Sequence, residues 1–300
     1  MFGAITADII SSRCRFEPTR DYNFELLTEK NCFSEGTVYT IAIADALLHG
    51  RDFDESIQDW FNRYPSQHNP SNKAILIGLI PVAHWFEHKN QVLDTAEAIL
   101  SDKFDKNEVR AAQTILLAIY TAMKFNRTGY QNAALHIDEI INKCVKFSGY
   151  DIKISKASAI EQCNGAMQDI VRIALKIINM SKNFVDAVRL AVSLGANTDI
   201  LGSIVGGMAE TIWGIHRELR SQIMEYFPTE MYFVIDNFHR SRYRSFKSLI
   251  DTTFYRKDYS EAAWDMLDEG EREDLLHIVD EDKEKGRKLM AERAKAREQW

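Results

Sequence analysis

The sequence has 300 residues, of which 45% are hydrophobic and 27% charged, with 14 glycines and 5 prolines. This composition excludes collagen-like, disordered and disulfide-stapled chains, and the length is sufficient to bury a substantial core. The formal net charge of −7 argues against a broad electrostatic surface for nucleic acid. Because no stretch is apolar over a bilayer's width and the N-terminus lacks a basic start, we expect a cytoplasmic protein without membrane contact.

Helical periodicity dominates the chain. The first predicted helix covers 38–48 and ends at Gly50, and the second covers 52–64 and ends at Pro65. Further helical patterns cover 74–88, 90–101, 107–125, 130–146, 164–180, 184–194, 198–213 and 216–226. No alternating strand pattern of useful length occurs, so we predict an all-α fold.

The chain divides into two parts of different composition. Residues 1–235 hold the apolar helical patterns and are predicted to form one helical domain, while 236–300 form a charged C-terminal helical extension. From about residue 269 onwards Glu, Asp, Lys and Arg predominate. This pattern is typical of a solvated helix with ion pairs between residues four apart, and a partner-binding arm is the alternative.

Small residues are concentrated in the predicted helix at 198–213. It contains Gly202, Gly206 and Gly207, which allow two backbones to approach closely. We expect this helix to pack side by side with the helix that begins near Thr37.

Acidic and hydroxyl residues precede two of the apolar helices. Ser34 and Glu35 precede the helix at 38–48, and Asn197 and Asp199 flank the start of the helix at 198–213. Together with Asp8, these residues have the oxygen donors that hard cations prefer. The same residue types also serve as helix N-caps and favourable first-turn charges, so the pattern alone favours caps over ligands.

Three segments resemble the ADP-ribosylglycohydrolase family. They read Gly3-Ala-Ile-Thr-Ala-Asp8, Phe33-Ser-Glu-Gly-Thr37 and Leu194-Gly-Ala-Asn-Thr-Asp-Ile200. They follow the family's order and spacing over about 1–235. The resemblance implies an all-α, orthogonal helical bundle with two Mg²⁺ ions in a central cleft. It also implies hydrolysis of the bond between ADP-ribose and a modified side chain or small acceptor.

The first metal-binding triplet of that family differs in this chain. The family's Thr-Asp-Asp corresponds to Ser34, Glu35 and Gly36. Ser34 keeps a hydroxyl and Glu35 keeps a carboxylate on a longer side chain. Gly36 supplies no ligand atom.

The second metal-binding block differs as well. Its two Asp residues and the following Thr correspond to Asn197, Asp199 and Ile200, so Asp199 alone keeps its type. The residual metal positions are therefore Ser34, Glu35 and Asp199, which do not suffice for two octahedral Mg²⁺ ions. We expect no cofactor, or Mg²⁺ if activity is retained, and Glu35 and Asp199 are the retained catalytic candidates.

The acidic residue of the family's first segment corresponds to Arg15, which reverses its charge. We expect Arg15, Asp8, Asn197 and Thr198 to bind the ligand, and the Arg15 guanidinium to occupy part of the former metal region. Its expected partners there are Asp8, Glu35 and Asp199. The alternative is that Arg15 points to solvent.

These departures predict a pseudoenzyme. We expect a protein of the ADP-ribosylglycohydrolase fold that binds an ADP-ribose-like ligand or a protein partner without hydrolysing it. One alternative is an active ADP-ribosyl hydrolase with an altered or single-metal site. Another is a different small-molecule chemistry in which Arg15 holds an anion.

Overall fold

The computed structural model describes residues 1–65, 73–127, 133–195, 198–245, 269–298 and 300. Every regular element in these ranges is helical, which confirms the predicted all-α class. Among the described residues, no helix is both long enough and apolar enough to cross a membrane.

In the described ranges fourteen helices come before the C-terminal helix, and three short 3₁₀ turns at Arg13–Arg15, Ala133–Leu135 and Met224–Tyr226 lie between some of them. The helices are α1 Phe2–Ser12, α2 Glu35–His49, α3 Phe53–Arg63, α4 Ala74–Gly78, α5 Ile80–Trp85, α6 Lys89–Leu100, α7 Lys106–Arg127, α8 Ile137–Ser148, α9 Lys156–Gln162, α10 Met167–Met180, α11 Phe184–Val192, α12 Thr198–Trp213, α13 Arg217–Ile223 and α14 Thr229–Ser245. The C-terminal helix is Glu269–Glu298.

Helix α12 packs along α1 at the centre of the molecule. A Cβ atom added to Gly206 would lie 2.4 Å from Cβ of Ala7 and 2.4 Å from the carbonyl oxygen of Gly3, so the two backbones nearly touch. The expected side-by-side pairing of α12 with α2 is wrong, because α12 contacts α2 only slightly. The neighbour that packs against the glycines of α12 is α1, whose small residues Gly3 and Ala7 allow the close approach.

The N-terminal helix α1 is buried along its whole length. All 11 of its residues are buried, so it has no face exposed to solvent. The periodicity that identifies an amphipathic helix is therefore missing, which explains why α1 was not among the predicted helices.

The segment predicted as one helix over 74–88 forms two short helices that meet at Leu79. Gly78 packs against α2, where an added Cβ atom would lie 2.5 Å from Cβ of Tyr39. Helix α8 begins at Ile137 and not at residue 130, and the short helix α9 was not predicted.

The C-terminal helix lies within the predicted charged extension, and it is not solvated along its whole length, because its last turns contact the core. Arg293 is buried and donates to the carbonyl oxygens of Ser181, at 3.4 Å, and Ala134, at 3.1 Å. Arg297 forms an ion pair with Asp186 at 2.8 Å. A guanidinium can be buried where it satisfies carbonyl groups at helix ends, and a charge-rich sequence does not reveal this.

The predicted boundary between the two parts lies at residue 235. Helix α14 runs through this point, and Phe238, just beyond it, is buried against Trp85 of α5. The division at 235 stays a prediction.

Candidate functional site

The three segments that carry the family resemblance converge on one cleft. Asp8 lies on α1, Ser34 and Glu35 lie at the start of α2, and Asp199 lies in the first turn of α12. The cleft is lined by Asp8, Ser34, Glu35, Gly36, Ala74, Ile77, Asp199 and Ile200. The structure therefore brings together residues from opposite ends of the predicted helical domain.

Asp8 is the most deeply buried carboxylate of this cleft. It accepts a hydrogen bond from the Ser34 backbone N–H at 2.8 Å, from the Ser34 hydroxyl at 2.6 Å and from the Thr37 hydroxyl at 2.6 Å. Both carboxylate oxygens are thus occupied by neutral donors. Asp8 ties the start of α2 to α1.

Ser34 is the N-cap of α2, since its hydroxyl accepts a hydrogen bond from the Gly36 backbone N–H at 3.2 Å. This confirms the capping interpretation for Ser34. Glu35 is buried in the first turn of α2. The positive end of the helix dipole favours a carboxylate at this position. The cap and the helix dipole position the Glu35 carboxylate in the cleft.

Arg15 lies in the 3₁₀ turn after α1 and points into the same cleft. Its two terminal nitrogens, Nη1 and Nη2, each lie 3.3 Å from a different carboxylate oxygen of Glu35. Nη1 also lies 3.5 Å from Oδ2 of Asp199. The expected pairing of Arg15 with Glu35 and Asp199 is confirmed, and the alternative in which Arg15 points to solvent is wrong.

No direct ion pair joins Arg15 to Asp8 among the described residues, although the Asp8 charge still acts on the guanidinium. Partial burial disfavours the charged form of Arg15, but the Glu35 hydrogen bonds and the Asp199, Glu35 and Asp8 charges outweigh this and raise its pKa. Arg15 is therefore a fixed positive charge that bridges α2 and α12.

The donor set of this cleft does not fit two Mg²⁺ ions. Mg²⁺ requires near-octahedral oxygen ligands at about 2.0–2.1 Å. The two retained carboxylates, Glu35 and Asp199, already share the Arg15 guanidinium, and an ion on the same oxygens would lie beside that like charge. Ile200 places a hydrocarbon side chain in the wall of the cleft.

Two residues expected at the ligand site cannot be assigned a contact. Asn197 lies outside the described residues, and Thr198 is described only as the first residue of α12. Thr37 belongs to the same candidate segment but was given no role of its own, and its hydroxyl binds Asp8. Its position three residues after Ser34, one helical turn on, is the sequence signal that could have identified it.

The cleft is small. Its cavity volume is about 10 Å³. Pockets for ligands of drug size measure about 300–1,000 Å³. A nucleotide-sized ligand would therefore lie largely outside the space between Arg15 and the carboxylates.

The Asp8 carboxyl gives this site a specific pH dependence. Burial and, to a lesser extent, repulsion from Asp199 raise its pKa from 3.8 to about 6, against the opposing effect of the Ser34 and Thr37 hydrogen bonds. Between these two values the folded state binds a proton that the unfolded state does not. The charged form is thus disfavoured in the folded protein, and the stability contribution of this group falls as the pH rises.

We therefore expect wild type to lose stability relative to Asp8→Asn between about pH 4 and pH 6, by up to about 3 kcal/mol. The difference in the free energy of unfolding between the two proteins should be constant above about pH 7, where Asp8 is ionised in both the folded and the unfolded state. Urea unfolding of both proteins at several pH values measures it. The raised pKa of Asp8 would be contradicted if the stability difference between the two proteins did not change between about pH 4 and pH 6, or if wild type gained stability relative to Asp8→Asn as the pH rises.

Comparison of the sequence with models of known protein families and with curated proteins finds no match. The resemblance to the ADP-ribosylglycohydrolases thus stays a prediction that rests on the three segments described above.

Proposed function

We propose that this chain has the ADP-ribosylglycohydrolase fold, has lost the metal-dependent hydrolysis of that family and acts as a binding or regulatory protein in the cytoplasm. The single observation that supports this most strongly is the position of Arg15. Its guanidinium binds both carboxylates that remain at the metal positions. An internal cation thus balances the charges that metal ions balance in the family.

Two further contacts support the loss of hydrolysis. Both oxygens of Asp8 are engaged by Ser34 and Thr37. A Cβ atom added to Gly36 would lie 3.9 Å from Oδ1 of Asp8 and 3.6 Å from the Ser34 hydroxyl oxygen. The missing side chain therefore leaves a gap beside these two oxygen atoms. The residues that the structure describes in this cleft consequently form a satisfied internal network without an open set of oxygen ligands.

The proposed ligand is an ADP-ribose-like molecule or a protein partner, and membrane or broad nucleic-acid binding is not part of the proposal. The acidic net charge of −7 opposes nucleic-acid binding. Arg15 has five N–H donors, and those not used by Glu35 and Asp199 could bind an anionic group at the mouth of the cleft.

The proposal is tested by turnover assays on arginine-, serine- and acetyl-linked ADP-ribose. We expect no release of ADP-ribose with Mg²⁺, Mn²⁺ or Ca²⁺, while an active metal-dependent ADP-ribosylglycohydrolase assayed in parallel gives full turnover. The alternative, an active single-metal hydrolase, predicts turnover that EDTA abolishes. That turnover would be lost in Asp199→Ala and kept in Asp102→Ala, an exposed carboxylate outside the cleft.

A further inference from the structure

A second cleft lies between the core and the C-terminal helix, which we call the Tyr22 cleft. Its walls are the segment around Tyr22, the start of α11 and the last turn of the C-terminal helix. It is open to solvent, has a cavity volume of about 320 Å³ and shares no lining residue with the cleft at Arg15. This size is within the range of small-molecule sites.

The charges that line the Tyr22 cleft are mainly positive. Lys182, Arg189 and Arg297 contribute three cations, and Asp186 contributes one carboxylate. Asp186 is buried and is bound by Arg297 at 2.8 Å and by the Tyr22 hydroxyl. One cation is therefore neutralised, and two positive charges remain without a carboxylate in the cleft.

The remaining cations have donors to spare. Arg189 uses Nη1 on the carbonyl oxygens of Tyr22, at 2.7 Å, and Phe24, at 2.8 Å, while Nε and Nη2 meet no acceptor in the part of the chain that the structure describes. The Lys182 ammonium likewise forms no hydrogen bond or ion pair with any described residue, and this side chain is exposed. Arg189 is also held over the Phe24 ring, at 5.3 Å from its centroid, so its free edge is fixed in position.

We propose that the Tyr22 cleft binds a phosphomonoester and that this binding stabilises the docked C-terminal helix. A phosphomonoester has a charge of about −1.5 to −2 at neutral pH, which matches the two uncompensated cations better than a single carboxylate does. A guanidinium with a free edge binds two phosphate oxygens at once, and a lysine adds a point charge.

The coupling follows from where the cations lie. Lys182 and Arg189 belong to the core, whereas Arg297 belongs to the C-terminal helix, which is anchored by the buried Arg293. In the docked arrangement Arg297 neutralises Asp186, whereas undocking would leave this carboxylate uncompensated in the cleft. An anionic ligand therefore binds the docked arrangement more tightly than the undocked one. By mass action it stabilises docking in proportion to its concentration relative to its Kd. This inference does not rest on the proposed loss of hydrolysis.

The first experiment is a calorimetric titration of the full chain with glycerol 3-phosphate and with inorganic phosphate, at constant ionic strength. We expect a Kd of about 1 mM or tighter for the ester. Lys182→Ala should weaken binding by at least about fivefold. Lys153→Ala, which removes an exposed lysine outside the cleft, should leave it unchanged. The absence of saturable binding, or equal affinity in wild type and Lys182→Ala, would overturn the proposal.

The second experiment measures hydrogen exchange of the amides of 286–298 with and without the ester. We expect slower exchange with the ester in wild type and in Lys153→Ala, and no such change in Lys182→Ala. If the ester binds wild type and the exchange of this segment is unaltered, the coupling to helix docking is wrong.

Discussion

Gly206→Ala is expected to destabilise the protein by about 2–4 kcal/mol, although alanine is the better helix former. The added methyl group would lie 2.4 Å from Ala7 Cβ on one side and 2.4 Å from the Gly3 carbonyl oxygen on the other. Both neighbours are on the backbone of α1 or next to it and cannot rotate away. The helices α1 and α12 would have to separate along the centre of the core.

Gly202→Ala is the matched control for this prediction, because it lies one turn earlier on the same helix. Its added methyl group would lie 3.3 Å from Cβ and Oγ of Ser11 and 3.6 Å from the carbonyl oxygen of Ala7, so these neighbours need to shift by no more than a few tenths of an ångström. We expect it to cost at least about 2 kcal/mol less than Gly206→Ala. Urea unfolding of the three proteins measures both differences. An unchanged unfolding midpoint in Gly206→Ala would place this face of α12 away from α1.

Arg15→Gln is expected to destabilise the protein by about 2–4 kcal/mol at pH 7, because it leaves two buried carboxylates without their cation. The side chains of Glu35 and Asp199 are 5% and 11% exposed, so water solvates them poorly. Arg15 itself is 22% exposed, and this partial screening keeps the cost below that of a fully buried pair.

Arg13→Gln is the matched control for Arg15→Gln. Arg13 lies in the same 3₁₀ turn and forms no ion pair among the residues that the structure describes. We expect this variant to be within about 0.5 kcal/mol of wild type. Arg15→Lys keeps the charge but cannot bridge Glu35 and Asp199 with one planar fork, so its stability should be intermediate. Equal stability of Arg15→Gln and Arg13→Gln would show that the guanidinium does not hold the cleft together.

The sequence predicted most of the helices because their apolar residues recur at helical spacing. It missed α1 because a helix buried on every side has no period to detect. It also joined α4 and α5, because the break at Leu79 depends on the approach of Gly78 to Tyr39 of another helix. Such a long-range contact leaves no local pattern.

The candidate site was predicted in more detail than the core packing. Asp8, Glu35 and Asp199 were expected together, and the charge reversal at Arg15 indicated which side chain would join them. The docking of the C-terminal helix was not predicted, since the burial of Arg293 depends on carbonyl groups that only the folded chain brings together. The neighbouring ion pair of Arg297 with Asp186 lies in the wall of the Tyr22 cleft.

The central claim is that Arg15 takes the place of metal ions, and calorimetric titration with Mg²⁺ tests it most directly. Wild type should bind less than one tightly held Mg²⁺ per chain, whereas Arg15→Gln should bind Mg²⁺ more tightly than wild type and gain stability from it. Two tight Mg²⁺ sites in wild type would contradict the account.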